Sequence, residues 1–302
     1  MNYNFTEKQK NDIISRGGDD FYLRILRDIE TYSKRWKLYD INFLDYYYWY
    51  SVNAIFFCKS ELYGDCVLKI GGMQQDIEFV SEYNALREYN GRRFVKIFEG
   101  DVDIENQRKV MLIERVIPGT RLSEEPSHEK RLAVFSELFN GLHIEPKNPE
   151  IYNTYIKWVC DTTDYIKENI NCSELHEHAV RAKELCFEIS KTYNKKVLLH
   201  GDFHFFNILL DENGNYKIID PKGFIGDPVF DIMRYISNDG GKNGEAIKYF
   251  EKILGIPNKI IRQCWYIEMA MVNGWDIEDD GTVNLDGLRF AEDFMNKGEK
   301  II

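Results

Sequence analysis

The chain has 302 residues, 44% hydrophobic and 29% charged, with only 7 prolines and 21 glycines. That is enough for two domains or one large two-lobed body, and it excludes disordered, collagen-like and low-complexity readings. A net charge of −11 repels nucleic-acid phosphates and anionic lipid surfaces, while a local cationic pocket can still hold a nucleotide and the remaining field favours a cationic small molecule.

The six cysteines (Cys58, Cys66, Cys160, Cys172, Cys186 and Cys264) form no C-x-x-C pair and are too sparse for a disulfide scaffold, so they read as reduced, packed thiols. The segment Met1 to Lys10 is polar, and no apolar run reaches the ~18 residues of a membrane span. The expectation is a cytoplasmic monomer whose partner is a small cationic molecule, with neither nucleic acid nor membrane.

In chain order, Phe21, Ile25, Leu26, Ile29 and Tyr32 fall at helical spacing and predict an opening helix over Asp20 to Arg35. Aromatic and Val/Ile-rich runs then predict antiparallel strands at Phe43 to Ser51, Ala54 to Ser60 and Asp65 to Ile70, the last two joined by Tyr63-Gly64-Asp65. Helical spacing returns over Asp76 to Tyr89 and stops at Asn90-Gly91. Two more strands follow at Phe94 to Glu99 and Lys109 to Val116, and Pro118-Gly119 marks the expected end of strand character.

Beyond that break three apolar stripes predict helices: Leu132 to Leu142, Ile151 to Ile166 and Leu175 to Tyr193. A short strand, Val197 to His200, a loop, and a hairpin of Ile208 to Asp211 and Tyr216 to Asp220 around Glu212-Asn213-Gly214 are set into this helical half. Helices resume at Ala246 to Leu254, Ile260 to Val272 and Leu288 to Met295.

The most informative stretch is His200-Gly201-Asp202-Phe203-His204-Phe205-Phe206-Asn207, with Ile218-Ile219-Asp220-Pro221-Lys222-Gly223 after the hairpin. Asp202 and Asn207 share one loop, and the hairpin returns Asp220 beside them. Asn207 and Asp220 are hard oxygen ligands suited to Mg²⁺, which completes its shell with phosphate and water, and this leaves Asp202 to face a substrate hydroxyl. A turn-capping role for Asp202 and Asn207 is the competing reading.

This stretch resembles the catalytic segment of the aminoglycoside phosphotransferases, whose pattern H-G-D-x-x-x-x-N, hairpin, I-D is met at every fixed position. Asp220-Pro221-Lys222 and Gly226-Asp227-Pro228-Val229-Phe230-Asp231 look most like the streptomycin phosphotransferase branch. The resemblance implies a bilobal protein-kinase-like α+β fold, with a β-rich nucleotide-binding lobe over residues 1–116 and a mainly helical catalytic and substrate-binding lobe over 117–302. It also implies ATP or GTP as donor, with Mg²⁺. A phosphate-gripping lysine is then due on the third strand, where Lys69 stands, with a carboxylate on the next helix. Glu82, thirteen residues on, is favoured over Glu78 because its x-E-x-x-A-L context resembles the family. No glycine-rich loop is present; Ser51-Val52-Asn53-Ala54 stands in its place. The adenine is expected against the connector Glu114-Arg115-Val116.

Asp231 resembles the family's structural brace of the catalytic loop. His200 reads as a core histidine holding that loop, while His204 stays open between loop packing and substrate contact, and Lys222 between a phosphate contact and a solvated lysine. His176 and His178, two apart on a helix, point to different faces and make no metal site. From Asp276 to Asp293 there are seven acidic residues against one basic, Arg289, so half of that run reads as a solvated face. Trp275 beside Asp276 and Glu278 nonetheless suits a polyhydroxylated cation, and the family builds its antibiotic pocket from this end of the chain. The resulting expectation is phosphoryl transfer to a hydroxyl of an aminoglycoside such as streptomycin. The alternatives are a metabolite kinase of the same fold, acting on choline or an amino sugar, and a non-catalytic nucleotide-binding regulator.

Overall fold

The computed structural model describes residues 3–44, 53–72 and 77–297. The chain divides into two compact units, 1–120 with 209–219 and 121–208 with 220–302.

The first unit opens with helix α1 (Glu7–Arg35), capped by Thr6, whose side chain accepts the Gln9 amide while Gln9 answers to the Thr6 amide. A non-helical Gly18 interrupts it, so the periodicity from Asp20 onward captures only the second part of the helix. Strands β1 (Leu38–Phe43), β2 (Ala54–Ser60), β3 (Gly64–Ile70), β4 (Ile97–Asp103) and β5 (Arg108–Glu114) form one antiparallel sheet in the order β1-β2-β3-β5-β4. The expected strand over Phe43 to Ser51 is thus preceded by β1, and its stretch 45–51 lies outside the described residues, as do Ser51 and Val52 of the nucleotide loop. Strand β4 starts at Ile97, later than expected, because Phe94 makes only a single bridge, to Ile218.

The period of two decides which side chains of β3 meet which helix. Cys66, Leu68 and Ile70 join Phe21, Ile25, Ile29 and Tyr32 of α1 in one core. Lys69 therefore projects from the other face of the sheet, where α2 (Ile77–Tyr89) packs on β4 and β5.

Strand character does not end at Pro118-Gly119. Residues Pro118–Arg121 form β6, which pairs into a three-stranded sheet, β6-β8-β9, with β8 (Ile208–Asp211) and β9 (Tyr216–Ile218). Proline is tolerated there because it is the first residue of the strand, where its missing N–H breaks no ladder. The β8–β9 hairpin groups with the first unit through Val95 and Arg93, which exchange backbone bonds with Ile218.

The second unit is helical: α3 (His128–Phe139), α4 (Tyr155–Asn169), α5 (Ser173–Ser190), α6 (Met233–Ser237), α7 (Asn243–Leu254), α8 (Asn258–Asp280) and α9 (Leu285–Lys297). Its centre is α8, which packs on α4, α5, α6, α7 and α9. The approach to α4 requires Gly274, where a Cβ would lie 2.3 Å from Thr162 Cγ2. Strand β7 (Val197–Leu199) pairs with β10 (Phe224–Gly226) and brings the loop at residue 200 beside residue 222. The run Trp275 to Asp280 is the last stretch of α8, closed by a left-handed Gly281. All six cysteines are free thiols, and no helix among the described residues is long and apolar enough to cross a membrane.

Candidate active site

In the first unit Lys69 and Glu82 meet as the family pattern implies. Lys69 Nζ lies 2.8 and 2.7 Å from the two Glu82 carboxylate oxygens, and both residues are buried. A buried ion pair is weakly favourable as a whole, but loss of either partner strands a charge. Nearby, buried Arg24 of α1 donates to the carbonyls of Gly71, Gly72 and Gln107 and so ties down the chain leaving β3. In the connector, the Glu114 and Arg115 amides donate to the Lys96 and Asp65 carbonyls, which places Val116 one residue past the last sheet bond. The Glu114 carboxylate accepts the Lys96 amide at 3.0 Å and stands 3.4 Å from Lys217 Nζ.

In the second unit the loop after β7 is held from below by Asp231, whose carboxylate takes the amides of His200 at 2.8 Å and Gly201 at 2.7 Å, with His143 Nε2 at 2.9 Å. Gly201 has φ +79°, and a Cβ there would lie 2.6 Å from Phe224 Cδ2, so only glycine makes this turn. His200 is fully buried; its Nδ1 accepts the Asp202 amide at 3.1 Å and its carbonyl accepts the Lys222 amide at 2.6 Å. The histidine thus works as a spacer that fixes two loops to each other, in accord with a holding role.

Three side chains surround the Asp202 carboxylate. Arg234 Nε lies 2.9 Å and His204 Nε2 3.2 Å from Oδ1, and Asn207 Nδ2 lies 3.4 Å from Oδ2 and 3.0 Å from the Asp202 carbonyl. His204 also caps the 3₁₀ turn Phe205–Asn207: its Nδ1 accepts the Phe206 amide, so the nitrogen facing Asp202 is the one that carries the proton. Burial opposes the charge on Asp202, yet the fields of His204 and Arg234, the His204 hydrogen bond and Lys222 overcome it and hold the carboxyl well below the usual range. A proton acceptor in this state is ionised at neutral pH.

Asn207 and Asp220 carry hard oxygen donors, the chemistry that a divalent cation takes. Asn207 orients its amide by donating through Nδ2 to Asp202, which leaves Oδ1 as the atom it can present, and Asp220 adds a carboxylate. Asp220 has φ +56°, a left-handed backbone that aspartate tolerates, directly after the hairpin.

The carboxy-terminal residues are placed on α8. Trp275 stacks on Trp158 at 5.0 Å and lies 4.3 Å below the Arg234 guanidinium. Asp276 is half-buried, and burial together with Asp280 and Asp279 raises its carboxyl against the pull of Arg234; Glu278 is exposed. His178 is buried and bonded through Nδ1 to Tyr266 at 2.6 Å, and His176 reaches the Ile170 carbonyl, so both histidines serve packing.

Arg234, Glu268, His143 and Trp158 were not singled out by the sequence reading. Glu268 is 2% exposed, and burial pushes its carboxyl up against the attraction of Arg234, which lies 3.1 Å away. The available signal was one of context: Arg234 interrupts Ile232-Met233 and Tyr235-Ile236, and Glu268 interrupts Tyr266-Ile267 and Met269-Ala270-Met271. A lone charge inside an apolar helix needs a buried partner.

A mixed first unit with a buried lysine–glutamate pair, and a helical second unit with an Asp-x-x-x-x-Asn loop and a following hairpin, define the protein-kinase-like phosphotransferase fold. The chain is similar throughout to the choline kinase LicA from Streptococcus pneumoniae (TM-score 0.68, 13% identity, 91% of this chain and 99% of that one). It is also similar to aminoglycoside phosphotransferase APH(4)-Ia in a ternary complex with ADP and hygromycin B (TM-score 0.60, 14% identity, 90% and 99%). Residues 64–253 match the aminoglycoside/hydroxyurea antibiotic resistance kinases, and the chain belongs to that family. Among curated relatives it is 28% identical over 198 residues to streptomycin 6-kinase of Streptomyces griseus, a match covering 64% of this chain and 61% of that protein. To hydroxyurea phosphotransferase of Kitasatospora aureofaciens it is 26% identical over 221 residues, 68% and 60% of the two chains. The chain therefore spans about three fifths of the length of these relatives.

Proposed function

We propose that the protein transfers the γ-phosphoryl group of ATP to a hydroxyl of a small molecule, with an aminoglycoside of the streptomycin type as acceptor. The observation that carries this reading is the placement of Asp202, its carbonyl held by Asn207 Nδ2 at 3.0 Å and its carboxylate faced by Arg234 Nε at 2.9 Å and His204 Nε2 at 3.2 Å. In the transfer the acceptor O–H bond breaks, a new O–P bond forms, the bond from the γ-phosphorus to ADP breaks, and the proton passes to Asp202. Because the transition state is loose, Asp202 chiefly orients the hydroxyl and takes its proton late. Lys69, fixed by Glu82, grips the donor phosphates, and the backbone of Glu114 to Val116 takes the adenine. Asn207 and Asp220 would hold Mg²⁺, which when bound neutralises charge on the phosphate oxygens. On this reading residues 1–116 carry the nucleotide contacts and residues 117–302 the transfer and the acceptor, with Trp275, Asp276, Glu278 and His204 on the acceptor side.

The streptomycin 6-kinase relative, the net charge of −11 and the acidic end of α8 support a cationic acceptor. One observation favours a second reading, a neutral hydroxyl compound: Arg234 and Lys222 already place positive charge around Asp202, and one relative is a hydroxyurea phosphotransferase. ADP release measured with aminoglycosides, choline, amino sugars, hydroxyurea and neutral polyols separates the two. Cationic acceptors should rank first and lose affinity as salt rises, since the screening length is about 10 Å at 0.1 M. Turnover undiminished by EDTA, or fastest with polyols, defeats the aminoglycoside reading.

A further inference from the structure

Arg234 is the second residue of the five-residue helix α6, three residues after the brace Asp231. Its guanidinium is in contact with two carboxylates and an indole: Nε lies 2.9 Å from Asp202 Oδ1 and 3.1 Å from Glu268 Oε1, and Cζ lies 4.3 Å from the Trp275 ring centre. Trp275 stacks on Trp158, Trp158 stacks on Phe224 at 4.2 Å, and Phe224 is the ring that admits only glycine at position 201. Contact therefore runs from Arg234 to the Asp202 loop by two routes, one straight to the carboxylate and one through three aromatic rings to Gly201.

Glu268 explains why this arginine stays in place. It belongs to the long helix α8 and is buried, so its carboxylate needs a cation, and the same guanidinium nitrogen, Nε, stands close to it and to Asp202. Oδ1 of Asp202 thereby faces Arg234 and His204 at 2.9 and 3.2 Å, while among the described residues Oδ2 has the longer 3.4 Å contact to Asn207.

We propose that Arg234 is a positioning residue for Asp202: held by Glu268 and the face of Trp275, it fixes the carboxylate so that Oδ2 is the oxygen that meets the acceptor hydroxyl. The proposal rests on the reading of Asp202 as proton acceptor. It carries a consequence for acceptor choice, because the planar-cation place beside Asp202 is filled by the protein itself and a guanidinium-bearing acceptor must bind elsewhere.

Replacing Arg234 by Ala leaves a guanidinium-shaped space between two carboxylates and an indole. Turnover should fall about 10–100-fold through misplacement of the carboxylate, with KM for ATP nearly unchanged. Guanidinium ion at low millimolar concentration should restore much of the loss, whereas ammonium should not, because a point charge cannot lie flat on the Trp275 face as the planar guanidinium does. Arg234→Lys should stay impaired for the same reason. Tryptophan fluorescence supplies a readout independent of turnover: guanidinium should give a saturable change in Arg234→Ala and none in wild type or in Arg234→Ala with Trp275→Leu.

Wild-type turnover in Arg234→Ala, or equal rescue by ammonium, overturns the proposal, as does a fluorescence titration that never saturates. If Arg234→Ala does not fold, Glu268→Gln removes the holder and keeps the arginine; kcat should drop while KM for ATP holds, and an unchanged kcat counts against the idea. A wild type that transfers phosphate to no acceptor defeats the phosphotransferase reading alone, since the fluorescence titration still decides the guanidinium place.

Discussion

Lys69 and Asp202 are fixed in different ways. Lys69 meets the buried carboxylate of Glu82, thirteen residues away on the helix that follows its strand. Asp202 is fixed by a ring of groups drawn from the whole second unit: His200 and Asp231 beneath its backbone, His204 and Arg234 at Oδ1, and Glu268, Trp275, Trp158 and Phe224 behind Arg234. The first device is a local pair, drawn from one strand and the next helix. The second distributes its support, so damage to any one member should weaken the site by degrees.

Removing Glu82 should have the largest effect. Glu82→Ala should destabilise the fold by about 3–5 kcal/mol, because Lys69 is left charged and buried, and Lys69→Met with Glu82→Leu should recover most of that loss. Urea unfolding reads both; a Glu82→Ala protein as stable as wild type would remove the distinction between the two devices. In the distributed site, Asp231→Asn should cost about 1–3 kcal/mol, since its amide end would face one of two buried N–H donors, and turnover should drop without complete loss. A fully active Asp231→Asn protein would show that the brace does not position Asp202.

A third device sharpens the comparison through pH. Asp28 on α1 lies 4.0 Å from Arg24, and burial pushes its carboxyl up to about 6 against the pull of Arg24. A carboxyl raised on folding contributes stability that is fully present below its unfolded pKa and is lost as pH rises through its folded one. Asp28→Asn should therefore match wild type near pH 4 and exceed it by about 1–3 kcal/mol at pH 7. Parallel stability curves for the two proteins across that window would contradict this.

The two devices also differ in how much of them could be read in advance. Lys69, Glu82, Asp202, Asn207 and Asp220 lie in short strings that resemble the family pattern, which implies the roles proposed for them, and strands β2 and β3 show themselves by alternation and a Gly-containing turn. Arg234, Glu268 and Trp158 come together across intervals of 34 and more residues, and nothing in the local string says which buried charge will meet which. Trp275 was visible as an aromatic beside acids; that it lies within α8 against Arg234 follows only from packing. The early part of α1 escaped notice because Gly17-Gly18 interrupts its period, although Thr6 and Gln9 cap it.

The central claim is that Asp202 receives the acceptor's proton during phosphoryl transfer. The most direct test is to follow phosphorylated acceptor by mass spectrometry with Mg-ATP for wild type and Asp202→Ala, while measuring nucleotide affinity of both by calorimetry. Wild type should yield a phosphate ester, and the variant should lose about 10²–10⁴ in turnover at nearly equal nucleotide affinity. Retention of more than about a tenth of turnover, a barrier change under roughly 1.4 kcal/mol, would contradict it.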